Sequence, residues 1–445
     1  MDLNLEHLSA SVPGVLADRP RRIAMISDHA SPLAAPGSID CGGQNVYVAS
    51  LARELAEAGH QVDIFTRRDA FIQRQVVQWQ DNIRVIHVTA GPPHHVPKEQ
   101  MLPYMEQFAR CVIRYARRQP AMYDIIHANF FMSGLVAEQI KQVLGIPFVI
   151  TFHALGQVRR NAQGAADAFP PARLPIESAL MRSADRIIAE CPQDRQDMET
   201  LYQAAPARIA TVPRGFDPGQ LWPVPAHAAR RRLGLAPGRF TVLQLGRMVP
   251  RKGVDTVIQS LALLRRQHGV DADLLVVGGE AHGHCAAEGA ELGRLRRLAE
   301  HLDLSAHVRF TGRKDRGELR YCYSAADVFV TTPWYEPFGI TPVEAMACAR
   351  PVIGAEVGGI KSTVIDGETG FLVPPRDPRA VAERLLQLQR NPALGTAMGE
   401  AGMRRAYQYY TWRDVARQVM AVYAAVLQDS LPDALPLSSQ RQEGP

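Results

Sequence analysis

The strongest constraint on this chain is an alternation that runs through it twice. Short apolar runs over 22–27, 62–66, 83–88, 124–127 and 148–152 are separated by stretches with apolar residues at helical spacing over 46–56, 102–118 and 134–144. Glycine, proline and polar residues punctuate them, and Gly59 stops the first helix. The pattern pauses in a proline-rich stretch from Pro213 to Pro225, which reads as a linker. It then restarts with strands over 241–245, 274–277 and 308–310 and helices over 254–266 and 291–302. Strand, loop, helix, strand units build parallel sheets whose ligands sit at the carboxyl ends of the strands. At 445 residues the chain exceeds one ordinary core. The expectation is therefore an α/β protein of two doubly wound, Rossmann-like halves, over 20–215 and 225–410, rather than one sheet of a dozen strands. An amphipathic last helix is expected within 411–428, and the proline-rich, polar residues 430–445 read as a disordered tail.

Charge and cysteine usage narrow the function. The formal net charge is +5, carried by scattered pairs such as Arg21-Arg22, Arg265-Arg266 and Arg296-Arg297. No basic stripe interleaved with aromatics accompanies them, which argues against nucleic acid and leaves room only for weak peripheral contact with anionic lipid. Cysteines at 41, 111, 191, 285, 322 and 348 show no paired spacing, the chain starts without an apolar signal region, and no apolar run approaches the ~20 residues of a membrane span. A reduced, cytoplasmic enzyme follows as the expectation. His282, His284 and Cys285 lack a second cluster at ligand spacing, so no metal is expected.

The chemistry is most legible in TTPWYEPFGITPVEAMACARPVIGAEVGG, from Thr331 to Gly359. A short apolar run, Val328 to Val330, leads into a loop, and Thr341-Pro342-Val343-Glu344 reads as a helix opening with threonine as N-cap and glutamate reaching back. The loop Glu336-Pro337-Phe338-Gly339 then aims N–H groups outward, toward a phosphate or a sugar hydroxyl. Asp40-Cys41-Gly42-Gly43-Gln44-Asn45 likewise precedes a helix, although the dinucleotide fingerprint G-x-G-x-x-G is absent. Arg247 and Lys252 lie in a loop before a helix start whose dipole they oppose, a placement that suits a diphosphate. His153 ends an apolar strand. Taken singly, each has a bland reading: a cap, a turn, a solvated cation, a core histidine.

As a set they do not. EPFGITPVEAM followed by RPVIGAEVGG resembles the signature of the retaining, nucleotide-sugar-dependent glycosyltransferases of family 4, which have the GT-B fold of two Rossmann-like domains facing each other across a cleft. The resemblance runs from RIAMIS to about residue 425. It implies that the second half binds the donor, the first half the acceptor, and that the last helix crosses back to the first half. Glu336 would contact donor sugar hydroxyls, with Phe338, Gly339 and Ile340 beside it, and Glu344 would hold the nucleotide ribose. Arg247 and Lys252 would hold the diphosphate in place of a metal, Gly42 and Gly43 would lie against donor phosphate and acceptor, and His153 would meet the donor sugar. Arg313 and Lys314 would pack near the base. No cofactor is implied beyond the nucleoside diphosphate sugar. No covalent nucleophile is evident, so the expected course is same-face substitution, with the acceptor deprotonated by a phosphate oxygen. A sugar-nucleotide epimerase or phosphorylase on the same fold, or a non-catalytic binding protein, stays open.

On the acceptor side the chain is similar to the group of D-inositol-3-phosphate glycosyltransferases and sucrose-phosphate synthases. Asp40, Gly43, Gln44 and Asn45 fall in its acceptor loop, and Lys98 and Arg173 fall where that group places two phosphate-binding cations. Phe130 stands where a tyrosine is expected and Ala154 where a threonine is expected. Loss of those two hydroxyls would weaken a phosphate site by ~1–3 kcal/mol. The sequence thus leaves open a phosphorylated acceptor or a neutral sugar, polyol or glycan end, and either a UDP- or a GDP-sugar as donor.

Overall fold

The computed structural model describes residues 19–34, 42–164, 167–279 and 286–429. Asp40, His282, His284, Cys285 and the segment 430–445 lie outside them. The first sheet contains β1 (Arg22–Ile26), β2 (Gln61–Arg67), β3 (Val76–Gln80), β4 (Ile83–Val88), β5 (Ile125–Asn129), β6 (Phe148–Thr151), β7 (Arg186–Ala189) and β8 (Ile209–Thr211). Their order is β3-β4-β2-β1-β5-β6-β7-β8, parallel except for the edge strand β3. The second contains β9 (Phe240–Leu245), β10 (Ala272–Val277), β11 (Val308–Phe310), β12 (Val328–Thr331), β13 (Val352–Ala355) and β14 (Gly370–Val373), all parallel in the order β11-β10-β9-β12-β13-β14.

Both sheets are covered on both faces, which is why their strands read as continuous apolar runs instead of alternating ones. In β1, Ala24 and Ile26 enter one core while Ile23 and Met25 enter another. In β12, Val328 and Val330 face one core and Phe329 the opposite one. Strand order reverses at β1/β5 in the first sheet and at β9/β12 in the second. Such switch points open a crevice at the carboxyl ends of the two strands, because successive crossover helices leave to opposite faces there.

The halves are joined by two adjacent crossings. The Phe216 N–H donates to the Tyr410 carbonyl at 2.8 Å, and the Trp412 N–H donates to the Phe216 carbonyl at 3.1 Å. Gly215 carries no side chain at this point, where a Cβ would meet the Trp412 ring and backbone at 2.9 Å. The helix Trp412–Asp429 then packs on the first sheet, with Trp412, Val415, Val419 and Tyr423 in the core that holds Ile23, Met25 and Tyr47. Tyr423 Oη lies 2.6 Å from His127 Nδ1 on β5.

Local departures from the sequence reading have local causes. Pro103 breaks the stretch over 102–118 into short 3-10 turns followed by the helix Met105–Arg117. Strand β3 escaped notice because its residues alternate only between half-buried and exposed. The expected helix opening at Thr341 is incorrect: the helix is Ile340–Ala347, its N-cap is Gly339 at φ 88°, and no side chain caps it. Glu344 does not reach back but is buried, 3% exposed, among other partners.

Trp412 is the largest fully buried side chain. Trp412→Ala should cost about 3–5 kcal/mol of stability in chemical denaturation; a loss below ~1 kcal/mol would mean that the returning helix is only a peripheral attachment.

Candidate active site

The polar residues collect where the two switch points face each other. In the second sheet, the turn after β9 carries Arg247, Arg251 and Lys252, and the loop after β12 carries Glu336. Lys252 Nζ forms a short ion pair with Glu336 Oε2. Gly253 makes this approach possible: it sits at φ 65°, and a Cβ there would overlap the Thr332 carbonyl. Thr332 Oγ1 also donates to the Gly253 carbonyl at 2.7 Å, tying the two loops together. From the other side, Gly358 at φ 47° and Gly359 back the Glu336 loop, and the Gly359 N–H donates to the Glu336 carbonyl at 3.1 Å. A side chain on either glycine would collide with that loop's backbone. Burial opposes the charge on Glu336, but Lys252, Arg251 and Arg214 outweigh it and hold the carboxyl below its ordinary range. Burial pulls the Lys252 ammonium down, against the attraction of Glu336 and assisted by Arg251 and Arg247.

Glu344 accepts from Tyr323 Oη at 2.8 Å and from Arg316 Nη2 at 3.4 Å, inside the helix that starts beside the Glu336 loop. Phe338 is 2% exposed and packs in the core, so only its backbone is available to a ligand. Ile340 reaches toward the first half: its Cδ1 lies 3.5 Å from the position of a Cβ on Gly43. Arg313 and Lys314 lie half-buried in the loop after β11.

In the first sheet, the Gly42-Gly43 turn opens the helix Gly43–Glu57. Asn45 spends its amide on that turn, accepting from the Gly42 N–H at 2.9 Å and donating to the Ser31 carbonyl at 3.0 Å. Gln44 Nε2 donates to Ser27 Oγ and the Asn129 carbonyl, both at 3.2 Å. After β1, Asp28 is fully buried, accepting from Ser133 Oγ at 2.5 Å and facing His29 Nδ1 at 2.9 Å.

His153, after β6, sits at φ 61°, a conformation that a non-glycine residue keeps only when its surroundings hold it. They do. Asn129 Nδ2 donates to the carbonyls of Ile26 and His127, so its Oδ1 faces His153 Nε2 at 3.0 Å as acceptor. Nε2 therefore carries the proton, and Nδ1 accepts from Arg214 Nη2 at 3.0 Å while also lying 3.0 Å from Glu190 Oε1. Burial lowers the pKa of His153 more than neighbouring Glu190 raises it, which keeps the ring neutral. Glu190, after β7, is gripped by Arg214 through Nε at 2.5 Å and Nη2 at 2.6 Å. Burial works against the Glu190 charge, but the Arg214 guanidinium prevails and holds it at about 2.

The acceptor-side cations differ from the sequence expectation in their surroundings. Arg173 is 2% exposed, its Nε 2.7 Å from Glu177 Oε1 and its Nη2 2.5 Å from the Ala154 carbonyl. Its guanidinium carbon lies 4.9, 5.0 and 4.5 Å from the ring centres of Phe130, Phe131 and Phe169. Phe130, 5% exposed at φ 87°, thus walls in the arginine. Lys98 lies half-buried in the short turn Lys98–Gln100. A cavity of about 140 Å³ is lined from both halves, by Ala154, Leu155, Val158, Gln193, Asp194 and Asp197 on one side and Tyr335, Glu336, Pro337 and Gly358 on the other.

Sequence reading did not single out Asp28, Asn129, Glu190, Arg214 or Arg251. A usable signal existed for Glu190, a charge ending the apolar run RIIAE at a strand terminus; Arg214 was hidden in the proline-rich linker. The described residues contain no group of three or more His, Cys, Asp or Glu able to hold a metal ion, and none of their helices is long and apolar enough to cross a membrane.

Comparison with known proteins supplies the relationship. The family described as Glycosyltransferase Family 4 matches residues 41–220, and that described as Glycosyl transferases group 1 matches residues 226–405. The chain is 37% identical to a D-inositol 3-phosphate glycosyltransferase of Kineococcus radiotolerans over 92% of its own length and 96% of the relative. It is 35% identical to a D-inositol 3-phosphate glycosyltransferase 2 of Catenulispora acidiphila, over 92% and 96%. Among solved structures, sucrose-phosphate synthase from Thermosynechococcus elongatus superposes with a TM-score of 0.84 at 33% identity, covering 92% of this chain and all of that one. Anabaena HepE in complex with UDP and glucose shares the fold, with a TM-score of 0.71 at 21% identity over 91% of this chain and 100% of its own.

Because Glu190 is held near 2, below its unfolded value, its pairing stabilises the fold above about pH 4.5 and is lost as pH falls toward 2. Unfolding free energy should therefore drop less steeply between about pH 5 and pH 3 in Glu190→Gln than in the wild type; identical slopes would mean that Glu190 carries no depressed pKa.

Proposed function

The chain belongs to the family 4 glycosyltransferases with the GT-B fold, and on that premise we propose that it moves a glycosyl group from a nucleoside diphosphate sugar to the hydroxyl of a sugar, polyol or glycan, with retention and without a metal. The observation that carries the reading is the Lys252–Glu336 pair at the β9/β12 switch point, flanked by Arg247 and Arg251. Each partner is held by the other until a donor arrives. A diphosphate competes for Lys252 while sugar hydroxyls compete for Glu336, so one ligand carrying both groups replaces the pair without stranding a charge. UDP heads the candidate donor nucleotides, since Anabaena HepE, which shares the fold, was solved with UDP and glucose.

In the proposed reaction the bond from the anomeric carbon to the diphosphate breaks first, and its electron pair leaves with the phosphate. Arg247 and Lys252 stabilise that growing negative charge, the work of preorganised electrostatic groups. The acceptor hydroxyl enters from the same face and gives its proton to a departing phosphate oxygen. Glu336, ionised and tied to sugar hydroxyls, positions the ring and does not attack it. His153 and Glu336 come from different sheets, so the sugar is enclosed only when both halves contribute.

A neutral acceptor is favoured over a phosphate ester. Arg173 is already neutralised by Glu177 inside an aromatic cage, and Phe130 and Ala154 offer no hydroxyl. Lys98 is then the one cation of the expected pair not committed to that cage.

Arg247→Ala or Lys252→Ala should each lower turnover by about 10² to 10³, and activity should persist in excess EDTA; a strict requirement for added Mg²⁺ would refute metal independence. His153→Ala and Glu336→Ala should reduce transfer far more than nucleoside diphosphate affinity, measured by calorimetry. Equal losses in both would reassign these residues to nucleotide binding. Comparing each acceptor with its phosphate ester, in wild type and Lys98→Ala, should show no tenfold preference for the ester; such a preference, abolished in Lys98→Ala, would restore a phosphorylated acceptor.

A further inference from the structure

We infer that Arg214 is a third cation for the donor diphosphate, reaching it from the first half of the molecule through Nη1. This rests on the donor reading above and adds a residue to it. Arg214 belongs to the linker after β8, yet it is only 7% exposed. Two of its three nitrogens are spent: Nε and Nη2 grip Glu190, and Nη2 also donates to His153 Nδ1. Nη1 has no hydrogen-bond partner among the described residues. It lies against the first residue of the helix Gly43–Glu57, so close that a Cβ on Gly43 would stand 2.5 Å from it, with Ile340 Cδ1 of the second half 3.5 Å from the same point. A guanidinium nitrogen without a partner among the described residues thus converges with a 15-residue helix's N-terminus, two positive ends at one place.

The field points the same way. Arg214 and Glu336 each feel the other's charge across the cleft, and Glu336 also feels Lys252 and Arg251. Arg214 thus stands across the cleft from Arg251 and Lys252, with Glu336 between them as the carboxylate that a donor would displace. Glu190 is a positioning residue here. By occupying Nε and Nη2 it fixes the plane of the guanidinium and leaves Nη1 as the edge turned to the glycine turn. A lysine lacks the rigid planar fork that presents two nitrogens to Glu190 and a third, fixed in direction, to the ligand.

The test uses the full chain and the diphosphate among UDP, GDP and ADP that stabilises the wild type most, with the matching monophosphate as control. The double variant Arg214→Gln with Glu190→Gln removes the ion pair without changing net charge or leaving a buried charge alone. It should keep its thermal unfolding temperature within a few degrees, lose about tenfold or more in diphosphate affinity, and change monophosphate affinity less than about threefold. Arg214→Lys should show the same selective loss, and guards against a double variant that does not fold. Unchanged diphosphate affinity in either folded variant, or equal losses for both nucleotides, overturns the role of Arg214 and leaves the donor reading standing. If none of the three diphosphates binds the wild type, the donor reading itself falls, and the role of Arg214 with it.

Discussion

Glu336 can be ionised where it sits only because cations from both sheets surround it. A half-buried carboxylate loses hydration, which alone would push its pKa up; here Lys252 and Arg251 from the turn after β9 and Arg214 from the linker after β8 reverse that push. The two switch points therefore do more than open a crevice. They bring opposite charges to positions where each depends on the other, and where replacement by a ligand of matching charge restores the balance.

That arrangement depends on glycines used for close approach. Gly253 lets the Lys252 turn sit on Thr332, Gly358 and Gly359 let the loop after β13 sit on Glu336, and Gly43 admits Arg214 to the start of the first helix. In each case a single methyl group would displace backbone or a charged side chain by more than packing tolerates. The charges of the candidate site are positioned by what these residues lack.

The acceptor side follows a different logic. Arg173 resembles a ligand-binding cation in sequence position, but in the fold it is turned inward, paired with Glu177 and enclosed by Phe130, Phe131 and Phe169. Releasing it toward a phosphate would leave Glu177 buried without its countercharge, although Glu177 also accepts from Tyr202 Oη and the Gly156 N–H. At this motif position the Arg173 charge is paired with Glu177, while its Nη1 is buried without a hydrogen-bond partner.

Read alone, the sequence was enough for the two doubly wound sheets and for the placement of Arg247, Lys252, Glu336 and His153 in loops that follow strands. Those features rest on local rules: apolar periodicity, glycine and proline punctuation, and motif spacing within one turn of chain. Where local signals competed, the reading failed, as at Thr341, whose capping pattern lost to Gly339 because the loop needs a left-handed residue at that corner. Only the tertiary structure decided which distant side chains meet. Asn129 ends β5, while His153, Glu190 and Arg214 follow β6, β7 and β8, and their contact follows from the order β5-β6-β7-β8, which no local window contains. A charged residue in sequence reads as solvated by default, and its burial becomes favourable only when folding supplies the partner that replaces water.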